Sequence, residues 1–314
     1  MIYSSSRNTG RIGLLLLIAV PMFLLLVAAW LYPSESAGGW FVTPWLNRTC
    51  GFLSLVGVAS LLPVIRNQYR TIRGYMATLP LLFGLLVLTN PNVLNFGPYH
   101  VSALSFCGAS VCYLRYWTRE ERVSDLFLAL LFLSIGSVTV PYLLWMAVPL
   151  LFFHYRHFLQ VLAAILLPWL YHFAYAFLIR DQTFVQWGRE VLMQLVAVKT
   201  EWYSLSVLQI FCLSVLLVTV VLAMVHVFRN ERSLIRPSQW NALLAVFYAV
   251  LMLGLLVLVF ESAFAPSWQL LPLIPTSLII FDYLHDRFSD YEGRILVILL
   301  AGSMLLLRTY QLMP

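Results

Sequence analysis

The sequence predicts an all-α, polytopic transmembrane helix bundle. Three observations support this: an excess of apolar residues, their arrangement in runs of membrane-spanning length, and basic residues between alternate runs. Of 314 residues, 61% are hydrophobic and 10% are charged, and the mean hydropathy is +0.87. Ordinary soluble domains have about 45–50% apolar and about 25% charged residues. Because water cannot accommodate so much apolar surface, we expect a lipid-facing exterior rather than a water-soluble fold.

The apolar runs divide residues 1–314 into about eleven spans of a single transmembrane domain. Each span must be helical, since a lipid-facing backbone has to satisfy its own hydrogen bonds. The first run is too long for a typical signal-peptide core, so it is expected to be an uncleaved span. The predicted spans are 12–32, 49–65, 75–89, 99–113, 125–139, 141–153, 158–179, 203–228, 240–260, 268–283 and 294–310.

The basic residues predict the orientation, because Lys and Arg are enriched on the cytoplasmic side. With the N-terminus inside and the C-terminus outside, 14 basic residues lie inside and 5 lie outside. The outer five are Arg48, Arg180, Arg189, Lys199 and Arg308.

The region 125–153 allows an alternative, in which Pro141 kinks one long helix instead of separating two spans. One helix of about 29 residues would be about 43 Å long, well over the roughly 30 Å hydrocarbon core. It would also reverse every later loop and move the basic count to 12 inside and 7 outside. Two spans are therefore the preferred interpretation.

The outer loop 180–202 combines charges with an apolar stripe at spacings of three and four. Such spacing is typical of a helix that lies on the membrane surface. Arg180 and Arg189 are candidate substrate-binding residues, because a guanidinium matches the phosphate oxygens of a lipid-linked substrate. The alternative is that these charges simply face water.

Two residues are candidates for catalysis. His172 follows Pro168 near the outer end of its span, where it would handle protons or donate hydrogen bonds in a cavity. Its alternative role is that of an interfacial histidine bonded to a neighbouring carbonyl. Glu35 is alone in the first outer loop and would act as a general base. Asp282 and Glu261 close their spans and are expected to meet water.

The outer turn 89–100 is rich in amide side chains and turn-forming residues. Asn90, Asn92 and His100 are candidate substrate-binding residues that would present hydrogen bonds to a sugar or a headgroup. Equally, Asn, Pro and Gly are what a tight reversal between two helices requires.

No cofactor and no metal site are expected, since the four cysteines lie in or beside apolar runs and form no CxxC pair. The expected partners are membrane lipids, with other envelope membrane proteins as a second class. Nucleic acid is not expected, because the net charge of +6 is divided among short clusters between spans.

Several short segments resemble a family of polytopic bacterial inner-membrane proteins defined only as a domain of unknown function. They are Val140-Pro141-Tyr142, residues 153–158 (FHYRHF), Leu166-Leu167-Pro168-Trp169, residues 273–277 (LIPTS) and Phe281-Asp282-Tyr283. The resemblance covers roughly the second half of the chain. It implies a bacterial cytoplasmic (inner) membrane location and carries over no catalytic residue.

The sequence therefore predicts a multi-pass integral inner-membrane protein of the cell envelope without assigning it a biochemical activity. Three more specific hypotheses remain. Because only the first is an enzyme, the sequence does not decide whether the protein has catalytic activity. The first is a membrane-embedded enzyme that acts on a lipid-linked envelope glycan. The others are a small-molecule transporter and a non-catalytic partner subunit of other membrane proteins.

Overall fold

The computed structural model describes residues 2–31, 40–41, 43–69, 77–90, 92–118, 122–198, 206–231, 237–260, 266–287 and 290–312. Within these ranges all regular secondary structure is helical. Short 3-10 turns, Pro141–Leu143 and Tyr155–His157, precede α6 and α7. The α-helices are α1 (Ile2–Leu31), α2 (Pro44–Tyr69), α3 (Thr78–Val87), α4 (Pro98–Thr118), α5 (Val123–Thr139), α6 (Leu144–Phe153), α7 (Phe158–Arg180), α8 (Phe184–Val196), α9 (Val207–Glu231), α10 (Pro237–Phe260), α11 (Pro266–Arg287) and α12 (Tyr291–Leu312).

Six helical segments in the described ranges are long and apolar enough to cross a membrane. They are Ile12–Leu31, Pro44–Tyr69, Tyr155–Arg180, Val207–Arg229, Ser238–Phe260 and Tyr291–Gln311. Many large apolar side chains on them are exposed, including Leu178 at 73%. Exposed apolar surface on this scale fits a protein embedded in lipid. The number of crossings and the sides of the two termini stay predictions.

Helix α11 forms the centre of the bundle. Nearly every side chain between Leu270 and Leu284 is buried, and α11 packs against α3, α4, α9 and α10. Because its side chains are buried on all sides, α11 faces other helices rather than lipid. By contrast, α7 lies at the periphery and exposes most of its large side chains.

The chain reverses direction between α5 and α6. The hydroxyls of Ser102 and Thr139 form a 2.7 Å hydrogen bond, so α5 ends beside the start of α4. His154 follows α6 and is hydrogen-bonded over 3.0 Å to the hydroxyl of Tyr113, near the end of α4. Helix α6 therefore runs back along α5. The chain therefore does not form a single helix kinked at Pro141.

The helix ends gather at two ends of the bundle. At one end Arg66 of α2 contacts Asp282 of α11, and at the other Arg308 of α12 donates to the carbonyl of Ala28. We call the first the arginine-rich end and the second the arginine-poor end. Among arginines with described side chains, the former has Arg66, Arg115, Arg122, Arg156, Arg229, Arg287 and Arg294, and the latter has Arg48, Arg180, Arg189 and Arg308.

Two arginines of the arginine-poor end complete the C-terminus of α1. Arg48 donates to the carbonyl of Trp30 over 3.1 Å, and Arg308 donates to that of Ala28 over 3.3 Å. The last four carbonyls of a helix have no partner within the helix, and its C-terminus attracts cations. These two arginines therefore have a structural role at this end of the bundle.

The connection between α3 and α4 packs directly onto α2. The amide of Phe96 donates to the carbonyl of Asn47 over 3.3 Å, and Leu94 lies against Gly51. A Cβ atom at Gly51 would stand 1.9 Å from the carbonyl oxygen of Leu94. Only glycine therefore permits this approach between the turn and the helix.

We predict that Gly51→Ala destabilises the protein, because either α2 or the turn at Leu94 must move. The expected loss is about 1–3 kcal/mol of unfolding free energy, measured by denaturant titration in mixed micelles. Gly254→Ala is the matched control, since a Cβ there has no neighbour within 4 Å. It should leave stability unchanged or raise it by about 0.5–1 kcal/mol, because alanine favours helix. Equal effects of the two substitutions would contradict the packing of this turn.

Candidate functional site

The corner between α7 and α8 is built by local sequence chemistry. Asp181 adopts the left-handed conformation, with φ of 49°, and its amide donates to the carbonyl of Ala176. Asp tolerates this conformation better than most residues. Thr183 then begins α8 with a capping box, in which its hydroxyl and the side chain of Gln186 each bond to the other residue's amide. The chain therefore turns sharply and α8 begins at a defined residue.

Helix α8 is held against α7 by an aromatic cluster around His172. The indole N–H of Trp187 donates to Nδ1 of His172 over 3.1 Å. The rings of Trp169 and Phe173 lie 6.0 Å from His172 and 5.2 Å from Trp187, respectively. At the far end of α8, Trp145 donates to the carbonyl of Leu195 over 3.0 Å. His172 is thus a half-buried hydrogen-bond acceptor that fixes α8 in place.

A groove of about 790 Å³ lies between α5 and α7 beside this cluster. Its walls are almost wholly apolar and include Ile135, Val138 and Leu167, while Thr139 and His172 supply polar groups. Ile135 and Leu167 are exposed on the surface of the bundle. The groove is therefore open along an apolar face, where it can receive a chain of hydrocarbon.

Arg180 and Arg189 flank this corner on α7 and α8, and both side chains are exposed. Within the described part of the chain, neither guanidinium forms a hydrogen bond or an ion pair. Arg180 and Glu190 lie close enough to His172 to interact with it electrostatically. The carboxylate of Glu190 accepts hydrogen bonds from Gln182 at 3.0 and 3.1 Å. The corner thus presents two arginines and two carboxylates, those of Asp181 and Glu190, next to an apolar groove.

The other candidate binding residues shape the turn between α3 and α4. The side chain of Asn90 accepts a 2.9 Å hydrogen bond from the amide of Asn92. His100 is buried and bonds through its two ring nitrogens to the amide of Gly97, at 3.2 Å, and to the carbonyl of Val93, at 2.9 Å. Substrate binding by Asn90, Asn92 and His100 stays a prediction. Their bonds to the turn give them a structural role in any case.

Glu35 and Glu261 lie outside the described residues.

A buried ionic cluster at the arginine-rich end was not expected from the sequence. Nε of Arg66 lies 2.7 Å from a carboxylate oxygen of Asp282, and the hydroxyl of Tyr69 donates to the other over 3.2 Å. The guanidinium also lies 5.0 Å from the ring centre of Phe281. Arg66 is 0% exposed and Asp282 is 1% exposed. The expectation that Asp282 meets water at a span end was therefore wrong.

The signal for this cluster was a carboxylate placed directly after an apolar run, together with an arginine closing another run. Charges in membrane helices that face the interior pair with one another. The sequence alone, however, does not show which of several arginines pairs with Asp282. The actual partner, Arg66, is 216 residues away along the chain.

His154 occupies a second buried position at this end. Its ring packs edge-on against Tyr113 and Tyr116, and Nε2 is hydrogen-bonded to the hydroxyl of Tyr113 over 3.0 Å. Burial lowers the pKa of His154 to about 4, with a smaller contribution from His157. His154 is therefore neutral near pH 7 and serves as a packing and hydrogen-bonding group between α4 and α6.

We predict that Asp282→Asn destabilises the protein by about 3–5 kcal/mol, because it leaves the charge of Arg66 buried without its carboxylate. The measurement is the unfolding free energy in mixed micelles. The double variant Arg66→Met, Asp282→Leu should recover most of the loss, since apolar side chains of similar volume often replace a buried pair without cost. A double variant that loses the sum of both single effects would contradict this account of the pair.

Comparison with known proteins gives no match among family models, curated proteins or solved structures, so the candidate sites stand on their geometry alone.

Proposed function

We propose that this chain is a multi-pass protein of the bacterial cytoplasmic membrane that binds an amphiphile at the corner between α7 and α8. The amphiphile would have a long hydrocarbon chain and an anionic phosphate head, as lipid-linked envelope glycans have. The observation that carries the proposal is the adjacency of an open apolar groove to two arginines that have no partner among the described residues.

The groove favours a hydrocarbon chain over a soluble ligand. Its walls include Ile135, Val138 and Leu167, which offer no hydrogen bonds to a polar molecule. Apolar pockets take their affinity from the surface they remove from water or exchange with lipid, and a few polar groups fix the orientation. Here Thr139 and His172 are such groups. A polyprenyl or acyl chain lying along α5 and α7 would match this composition.

The arginines favour a phosphate head. A guanidinium offers paired N–H donors that match phosphate oxygens, and its charge persists at any physiological pH. Arg180 ends α7 and Arg189 lies on the amphipathic α8. Both would sit where a surface helix meets the bilayer interface. With the N-terminus inside, this corner would face the periplasm, where envelope glycans are assembled.

Chemistry on the bound head is the finer part of the proposal. His172 lines the groove together with Tyr171 and Tyr175, and its Nδ1 accepts the hydrogen bond from Trp187. Nε2 would then be the ring atom that meets a substrate. Glu35 stays the proposed general base that would work with it.

A small-molecule transporter stays an alternative prediction. A cavity of about 60 Å³ lies among α2, α4, α5, α6, α10 and α11 and is lined mainly by apolar side chains, including Phe106 and Leu278.

We predict that the purified protein binds a long-chain polyprenyl phosphate more tightly than the corresponding polyprenol, by about tenfold or more, since charge-assisted hydrogen bonds hold the phosphate. The double variant Arg180→Gln, Arg189→Gln should abolish this preference. Val138→Phe, which fills the groove, should weaken both probes equally. Competition against a fluorescent prenyl probe in detergent measures all three.

The matched control is the double variant Arg122→Gln, Arg156→Gln, which removes two exposed arginines from the opposite end. It should bind like the native protein. If the native chain binds alcohol and phosphate equally, or if the control variant loses the preference as well, the proposal is rejected.

A further inference from the structure

A second pocket lies at the arginine-rich end, between α9, α11 and α12. It has a volume of about 530 Å³ and is lined by Leu222, Val225, His226, Arg229, Tyr283 and Glu292, with Arg287 at its side. Polar and apolar surface contribute almost equally to this pocket, whereas the groove beside α7 is nearly all apolar. A mixed lining suits a ligand with a polar head and an apolar body.

Two contacts between basic and acidic side chains form within the rim of the pocket, and the one made by His226 is an ion pair only when that residue is protonated. Nε2 of His226 lies 3.6 Å from a carboxylate oxygen of Asp286, and Arg287 donates to Asp290 over 2.8 Å. These pairs leave the guanidinium of Arg229 and the carboxylate of Glu292. Neither of these two has a hydrogen bond or an ion pair with another described residue. Besides Arg287, which Asp290 holds, the pocket therefore offers a ligand one positive group, Arg229, and one negative group, Glu292.

Tyr283 lines the same pocket. Its ring centre is 5.3 Å from that of His226, and Arg287 and Glu292 are close enough to its hydroxyl to interact electrostatically. An aromatic face beside a carboxylate attracts an ammonium group, both through the ring and through the charge. On the side of the pocket formed by α11 and α12, Glu292 can hold a cation beside Arg287, whose charge Asp290 offsets. Arg229 on α9 favours an anion.

Apolar faces lead away from the pocket on both walls. On α9, Val218, Leu222 and Val225 are exposed and continue at helical spacing to Arg229. On α12, exposed Leu299 and Ile295 continue in the same way to Glu292. Residues three and four apart share one face of a helix. Arg229 and Glu292 therefore each lie at the end of an exposed apolar stripe. This pattern is typical of a helix that crosses from hydrocarbon into water.

We propose that this pocket binds a glycerophospholipid whose headgroup carries both a phosphate and an amine, that is, a lipid of the phosphatidylethanolamine class. The phosphate sits on Arg229 and the ammonium on Glu292 and Tyr283. The acyl chains follow the apolar faces of α9 and α12. A zwitterionic head matches one cation and one carboxylate, whereas an anionic head would leave Glu292 facing like charge. This site is independent of the groove beside α7.

The test compares three probes on the full chain in detergent, by native mass spectrometry. They are phosphatidylethanolamine, phosphatidylglycerol with the same acyl chains, and glycerophosphoethanolamine without chains. The native protein should bind phosphatidylethanolamine about tenfold more tightly than phosphatidylglycerol, the difference that one charged contact makes. Glycerophosphoethanolamine should bind at least as weakly as phosphatidylglycerol, because it lacks the contacts along α9 and α12.

Substitutions separate the two ends of the headgroup. Arg229→Gln should weaken both phospholipids about tenfold, and Glu292→Gln should weaken phosphatidylethanolamine alone and so remove the preference. The control is Arg156→Gln, which removes an exposed arginine at the same end, in the turn Tyr155–His157. It should change the binding of neither phospholipid. Thermal unfolding of the Arg229→Gln and Glu292→Gln variants should match the native protein, since neither group forms a hydrogen bond or an ion pair with a described residue.

The proposal is overturned if the native chain binds phosphatidylglycerol as tightly as phosphatidylethanolamine, or binds glycerophosphoethanolamine as tightly as the intact lipid. It is also overturned if Arg229→Gln and Arg156→Gln have the same effect in well-folded protein. None of these outcomes depends on whether a polyprenyl phosphate binds at the opposite end.

Discussion

The ion pair between Arg66 and Asp282 determines how the central helix sits in the bundle. Asp282 belongs to α11, around which α3, α4, α9 and α10 pack, and Arg66 belongs to α2. With both groups buried, a shift or rotation of α11 would leave two charges unpaired in a medium that cannot solvate them. Apolar packing alone would allow α11 several positions along its neighbours, but the ion pair with Arg66 is compatible with few of them. It therefore contributes specificity of arrangement more than net stability.

The helical class and most helix positions could be predicted from the sequence, because lipid forces each apolar run to satisfy its own backbone. The reversal at Pro141 was also accessible, since one helix through 125–153 would be too long. The buried role of Asp282 was not. A carboxylate at the end of an apolar run looks the same whether it meets water or an arginine, and that arginine is 216 residues away. Likewise the contact of Leu94 with Gly51 depends on a tertiary approach that no local pattern encodes.

The two candidate sites differ in how far the sequence could reveal them. His172, Arg180 and Arg189 lie within one helix–turn–helix segment, so their proximity follows from local structure. The pocket at the arginine-rich end takes His226, Tyr283 and Glu292 from three helices. In the sequence, the basic residues of this region indicated only which side of the membrane it faces. Both sites place exposed arginine beside apolar surface, as expected where a protein meets the boundary between hydrocarbon and water.

The account requires the two ends of the bundle to lie on opposite sides of the membrane, with the groove of α7 outside and the pocket of α9 inside. Single cysteines at positions 156 and 229, and at 180 and 189, test this directly in a chain whose four native cysteines are replaced. A membrane-impermeant maleimide added to intact spheroplasts should label positions 180 and 189 at once. It should label 156 and 229 only after the membrane is permeabilised. Labelling of all four positions in intact spheroplasts, or of 156 and 229 alone, would contradict the account.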